Sequence, residues 1–350
     1  MNTTDVHDIK ILGAGISGLT AAINLASRGF RVRVYEKRAG VGSQSKGDFQ
    51  GLENWTSPKD ALLFLSEIGI APEFEYEPFT ECHYYDDDLR KYTMKSSNAG
   101  FYLVRRGPME GSLDRYLERI AYQHGVEICY GTTAEISDVD VIATGYRKPF
   151  LVATGINFDT DREKLAAAIF DDRIAPHGYA YFLALRGRGT IAVVSKVGVK
   201  ELSSVLTRAV DRFHEISKFP VDNPIHFGGY GTRFTKLGSG TPVVGEAGGF
   251  QDAMWGFGIR MAFHTGFLSA KAISGKLDFW ELVRKEVVPL CKSSTINRLL
   301  YDLLKTKRHK SILSGMANAA DPIAHANKLY APIPFKTLLF PLANVFLRKS

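Results

Sequence analysis

A chain of 350 residues can bury at least one large core and has room for two subdomains that share it. Its 45% hydrophobic and 23% charged composition is globular rather than fibrous or disordered. Three widely spaced cysteines, Cys82, Cys129 and Cys291, exclude a disulfide framework and fit free thiols in a reducing cytoplasm, while the net charge of +7 leaves an anionic partner open.

The first ten residues, MNTTDVHDIK, hold no apolar run, so no signal peptide is expected. Ile9, Ile11 and Leu12 then read as a short strand that ends in Gly13-Ala-Gly15-Ile16-Ser17-Gly18. In such a turn the first glycine permits the sharp strand-to-helix bend. The second lets a pyrophosphate approach the backbone, and the third lets the helix pack on the sheet. Leu19, Ala22, Ile23 and Ala26 share one face of a helix expected over 16–28, with Gly29 as its cap. Phe30 to Tyr35 alternates as a second strand and stops at Glu36, with 17 residues between Gly18 and Glu36. That spacing puts a carboxylate where an adenosine ribose diol can donate to it. Glu36 argues against a 2′-phosphate, although Lys37 and Arg38 soften the objection. NAD and FAD satisfy this much equally.

The segment GVGSQSKGDFQGLENW, including Gly42, is either a turn that carries the chain over a cofactor or an ordinary loop. Arg105-Arg106-Gly107-Pro108 precedes a helix on which Leu113, Leu117, Ile120 and Ala121 recur at helical spacing. Val126–Tyr130 and Val139–Gly145 read as two strands that return to the nucleotide domain, the second ending in Ala-Thr144-Gly145. Tyr179, Tyr181 and Leu183 alternate along a further strand, where they form either a buried sheet face or a cavity lining. Cys82–Tyr85, Tyr102–Val104 and Thr190–Val194 are additional strands, and Glu201–Ile216 is a helix.

About two hundred residues after Glu36 comes Thr241-Pro-Val-Val-Gly245-Glu246-Ala-Gly248-Gly249-Phe250, followed by Gly256-Phe-Gly258-Ile259-Arg260. This pattern resembles the second FAD fingerprint of the glutathione-reductase and p-hydroxybenzoate hydroxylase superfamily, with Glu246 in place of the usual Asp. The resemblance implies a strand bringing an acid to the ribityl and pyrophosphate region. It also implies a helix from near Gly256 that points its amides at the flavin. Arg106 would lie near the flavin by the same analogy. The hydroxylases' Gly-Ala-Asp-Gly sequence is missing, and Gly145-Tyr-Arg-Lys-Pro149 stands there instead.

The whole order resembles the geranylgeranyl reductase family of flavoproteins over residues 8–275. That family's Tyr-x-Trp-x-Phe-Pro motif survives here only as Tyr179, with Tyr181, Leu183 and Ala184 at the other positions. The implied fold class is α/β, a Rossmann-type FAD-binding domain with an inserted antiparallel-sheet substrate domain of α+β type and a helical C-terminal tail. The FAD domain is expected over 1–75, 103–150 and 236–275, the substrate domain over 76–102 and 151–235, and the tail over 276–350. The implied activity is hydride transfer from flavin N5 to a carbon–carbon double bond of a hydrophobic, isoprenoid-class compound. A flavin monooxygenase, or a non-redox isomerase or cyclase, is the alternative. Tyr179, Tyr181, Cys82 and His83 are candidate proton donors. No residue cluster has metal-ligand spacing, so no metal is expected. NAD(P)H and a ferredoxin-like protein are both open as electron donors.

From Arg284 to Lys310 eight basic residues meet two acids, and from Lys328 onward four meet none. No nucleic-acid motif accompanies them. An anionic membrane surface or an acidic electron-donor protein fits better. The last segment, Leu329 to Lys349, is apolar and cation-flanked, but prolines break it into pieces too short to form a spanning helix. It either lies in a membrane interface or packs on the protein. Localisation is therefore read as cytoplasmic, with membrane-peripheral attachment as the variant.

Overall fold

In the computed structural model the described residues are 8–349 apart from 147, 197, 199 and 200, and the side chains of 304–308, 348 and 349 are not among them. The expectations for residues 1–7, Arg147, Lys305, Lys307, Arg308, Arg348 and Lys349 therefore lie outside what is described.

The first strand, β1 (Asp8–Leu12), leads through the glycine turn into α1 (Ile16–Ala26) and then β2 (Arg31–Glu36). β1 and β2 pair in parallel, as a βαβ unit requires. Helix α1 is shorter than the periodicity predicts, because the chain turns at Ser27 and passes through Gly29 at φ +86°. β3 (Phe49–Glu53) and α2 (Ala61–Glu67) follow, with Asp60 accepting from the Leu62 and Leu63 amides at the start of α2. Next come β4 (Tyr76–Phe79), β5 (Glu81–Tyr85), β6 (Lys91–Lys95), β7 (Phe101–Arg105), α3 (Leu113–Gln123), β8 (Glu127–Tyr130) and β9 (Val141–Ile142). The nucleotide-binding sheet has four strands in the order β8-β2-β1-β9. Its buried residues Ile11, Val34 and Val141 meet Leu19, Ile23, Leu117 and Phe263 in one core.

β10 (Leu151–Asp159), β11 (Lys164–Ile169), β12 (Tyr179–Leu185), β13 (Arg188–Ser195), α4 (Leu202–Ile216) and β14 (Asp222–Gly231) build the second body. Its sheet runs β14-β10-β13-β12-β11-β5-β6. Two details depart from the sequence reading. β5 pairs with β11 in parallel, so the sheet is mixed. β4 and β7 join β3 in a separate sheet of three, because Phe79 stacks on Phe101 across that pairing. Residues 76–79 therefore belong with β3 and β7 rather than with the large sheet.

β12 shows period-2 geometry at work. Ala180, Phe182 and Ala184 face α4 and its buried Val205, Leu206, Ala209 and Phe213. Tyr179, Tyr181 and Leu183 face the opposite way, into a cavity.

The chain then returns to the first body through α5 (Ile259–Gly275). It closes with α6 (Phe279–Glu286), α7 (Val288–Ala317), α8 (Pro322–Tyr330) and α9 (Pro334–Lys349). These helices pack on the protein. No single helix among the described residues is long and apolar enough to cross a membrane, and α8 and α9 taken together bend by 65°. The three cysteines are unpaired.

Helix α7 is fastened to the second body by a buried charge cluster. Asp302 meets Arg298 at 3.0 Å, Lys196 at 2.6 Å and His177 at 3.6 Å. Arg298, 1% exposed, also donates to the carbonyls of Met254 and His177. Truncating the acid removes the carboxylate that faces both cations in a largely desolvated site. Asp302→Ala should lower unfolding free energy by ~3–5 kcal/mol in urea titration. A loss below ~1 kcal/mol, the worth of an exposed pair, would show that this cluster does not hold α7.

Candidate functional site

The glycine turn lies where β1 enters α1, and its three glycines are shaped by different neighbours. A Cβ on Gly13 would meet the Ala143 carbonyl oxygen at 2.3 Å, and one on Gly18 would meet that of Gly13 at 2.0 Å. A Cβ on Gly15 would find nothing within 4 Å, because Gly15 faces an open groove. That groove, about 220 Å3, is also lined by Ile16, Ser17, Glu36, Lys37, Arg38, Gly42, Thr144 and Gly145.

Glu36 is buried at the end of β2, with its carboxylate fixed by the chain itself. Its oxygens accept from the amides of Ala14 and Arg38, each at 2.9 Å. Four lone-pair sites on a carboxylate leave capacity for a ribose diol. Lys37 and Arg38 project outward beside it. Gly42, at φ +62°, sits against the Gly107 backbone, where a Cβ would come within 2.6 Å. The 40–55 segment is thus a packed wall of the groove.

The second motif comes to the same place. The strand expected before Gly245 is reduced to one bridge, Ile142 to Val243, and Gly245–Gly248 forms a tight helical turn. Gly245, at φ +58°, leaves only 2.6 Å between an added Cβ and Ser17 Oγ, so the two motifs touch. Thr265 accepts the Gly245 amide at 2.9 Å. Glu246 lines the groove, and burial raises its pKa while Arg106 opposes the rise. Helix α5 begins at Ile259, three residues after Gly256, with no side chain capping it. Gly256, Gly258 and Ile259 line the groove, so free amides and the positive end of the helix dipole point into it.

Arg106 is a wall residue whose side chain is 12% exposed. Asp114 grips its guanidinium through two bonds, 2.8 and 2.9 Å, and Gln50 accepts a third at 3.1 Å. Ser112 caps α3 by accepting from Arg115 at 3.2 Å, which sets Asp114 under the arginine. Gln50, Asp114 and Gln251 were missed in the sequence. Asp114, eight residues after Arg106, carries the only local signal, an acid in the first turn of a capped helix.

Beyond Arg106, Glu246 and the start of α5, the groove opens into a cavity of about 550 Å3. Trp55, Tyr84, Phe170, Tyr179, Tyr181 and Trp255 give it an aromatic wall. Phe170 stacks on Tyr179 at 5.8 Å, and Trp255 sits edge-on to both. The four candidate proton donors all line this cavity. They differ in state. Tyr179 donates its phenol to the Trp255 carbonyl at 2.6 Å. Burial raises the Tyr181 pKa, pushes the Cys82 thiol up to about 12 and lowers that of His83. Tyr181 and Cys82 therefore stay protonated at neutral pH, while His83 is neutral.

Asp252 organises the turn between the two spaces. It accepts from Met254 and Trp255 amides, from Ser294 at 2.6 Å and from Tyr330 at 3.0 Å. Arg260, in the first turn of α5, donates to the carbonyls of Glu53 and Lys59. Glu53 itself is buried, and its carboxyl is pushed from 4.5 to about 7 by desolvation against the opposing pull of Arg260.

The family profile that matches residues 11–51 describes an NAD(P)-binding Rossmann-like domain. A geranylgeranyl bacteriochlorophyll reductase-like protein from Thermoplasma acidophilum superposes with a TM-score of 0.71 at 16% identity, covering 96% of this chain and 98% of its own. A flavin-dependent brominase superposes at 0.66 and 14% identity, over 98% of this chain and all of its own length, 100%. In sequence, an all-trans-zeta-carotene desaturase from Myxococcus xanthus is 26% identical over 239 residues, 61% of this chain and 43% of the relative. The chain spans less than half the length of the curated relatives it matches. The fold is that of FAD-binding flavoproteins. The open face at Gly15, the unpartnered amides of α5 and the wide cavity beyond them fit FAD.

Gly15→Val should fold and yet purify without the yellow flavin absorbance, since its side chain fills only the groove. Gly18→Ala should instead lower the melting temperature, because its methyl collides with backbone. Equal flavin content in Gly15→Val and wild type would refute the placement. Glu53 gives a second expectation. Its folded pKa lies above the unfolded value of 4.5, so its contribution is intact below pH 4.5 and is lost as pH rises toward 7. The loss is about 3 kcal/mol. Relative to wild type, Glu53→Gln should gain stability progressively across that window in urea titrations. A pH-independent difference would contradict it.

Proposed function

We propose that this chain, folded as an FAD-dependent oxidoreductase, reduces carbon–carbon double bonds of a hydrophobic, isoprenoid-class compound. One observation carries the reading: the dinucleotide groove runs directly into a large, mainly apolar and aromatic cavity. FAD, when bound, supplies hydride chemistry at the junction. The protein's own groups do the rest. The amides at the start of α5 favour negative charge there, and Arg106, locked by Asp114 and Gln50, holds its cation beside them. The aromatic wall excludes water and positions an extended apolar chain by area rather than by directed bonds. Tyr181 is the proton donor of choice. Its phenol lines the cavity and donates to no protein group among the described residues, whereas that of Tyr179 is committed to the Trp255 carbonyl.

The fold also serves halogenation in its relatives, so the test separates outcomes. Under anaerobic conditions with dithionite, the flavin-loaded protein should convert a polyprenyl substrate to products two hydrogens heavier by mass spectrometry. Product that gains oxygen or halogen, or isomer formed without reductant, would overturn the reading. Tyr181→Phe should lower turnover at least tenfold with flavin content unchanged, and Tyr179→Phe should act mainly on substrate affinity. An NAD(P)H-dependent rate, or one requiring an acidic carrier protein, would identify the donor.

A further inference from the structure

The last helix is a packed element with an uncovered apolar face. Phe340, Ala343 and Leu347 are buried, and Asn344 beside them accepts from Arg233 and donates to the Thr235 carbonyl at 2.8 Å. One side of α9 is thereby tied to the protein. On the other side Phe335, Leu338, Leu342, Val345 and Phe346 are 62, 76, 70, 55 and 47% exposed. Their spacing of three and four residues makes a continuous stripe. An apolar stripe of this size on a globular protein marks an interaction surface.

Charge and position indicate its partner. From residue 322 to the end there is no acid, while Lys328, exposed on α8, and Lys336, at the start of α9, flank the stripe. Two copies meeting on this face about a twofold axis would bring these cations together without acids to oppose them. A bilayer with anionic headgroups supplies both missing components, acyl surface for the stripe and negative charge for its rim. The cavity reaches the same region. Leu329, 41% exposed, is one of its wall residues, together with Ile323, Ala326 and Tyr330 of α8.

We propose that the outer face of α9 docks the protein on anionic membranes, lying in the interface plane, and that this sets the α8 edge of the cavity against the lipid. Docking is independent of the reaction at the flavin site, and it is read without turnover. The test is co-sedimentation of the full, flavin-loaded chain with vesicles of phosphatidylcholine alone or containing 30% phosphatidylglycerol. Wild type should bind the anionic vesicles at least tenfold more strongly, and added salt should weaken binding. Leu338→Glu with Leu342→Glu should reduce it at least tenfold while leaving flavin absorbance and melting temperature unchanged. Lys328→Glu should reduce the preference for anionic lipid. Two outcomes would overturn the proposal: vesicle binding that the double variant leaves intact, or no binding together with a wild-type dimer that the double variant dissociates.

Discussion

Helix α1 crosses α5 at a distance set by missing side chains. A Cβ on Gly266 would stand 2.3 Å from the Ser17 carbonyl oxygen, and one on Gly245 would press on the Ser17 side chain. Gly13 and Gly18 do the same on the sheet side, against Ala143 and the turn itself. Close approach at this point fixes where α5 begins. It therefore fixes where the unpaired amides of α5 point relative to the pyrophosphate turn. The groove is the gap left between two surfaces that glycine allows to meet.

Once that gap exists, the remaining polar residues keep it from closing. Glu36 is held by two amides of its own chain, Arg106 by Asp114 and Gln50, and the 252–256 turn by Asp252 and Gln251. Each of these groups is satisfied without a ligand, so the site can stay open and organised before a cofactor arrives. Glu246 is different, a carboxylate whose pKa is raised by burial at the junction. An acid with a longer reach than Asp suits a position that must extend into the groove.

The second body supplies the sheet wall of the cavity. Its large sheet turns one face to α4 and the other to the cavity, so a single strand, β12, serves core and cavity with alternate residues. The tail completes the cavity from the far side through α7 and α8, and the Asp302 cluster ties that wall to the sheet. Aromatic side chains from several separate elements line it.

Spacing alone made several parts of this protein legible. The strand–glycine–helix–strand unit, Glu36 at its end, the α3 helix after Arg106 and the alternation of Tyr179, Tyr181 and Leu183 are local patterns, and local sterics dictate them. The second motif at Gly245–Ile259 was legible as well, although its strand shrinks to one bridge, Val243 to Ile142 of β9. Tertiary structure decided what depends on distant partners. β4 paired with β7, β5 parallel to β11 and the burial of one face of α9 are set by neighbours from 22 to 111 residues away. Periodicity cannot tell which of two apolar faces the core will cover. That choice is made by whichever packing buries more surface and satisfies Asn344, and it left the other face of α9 in the open.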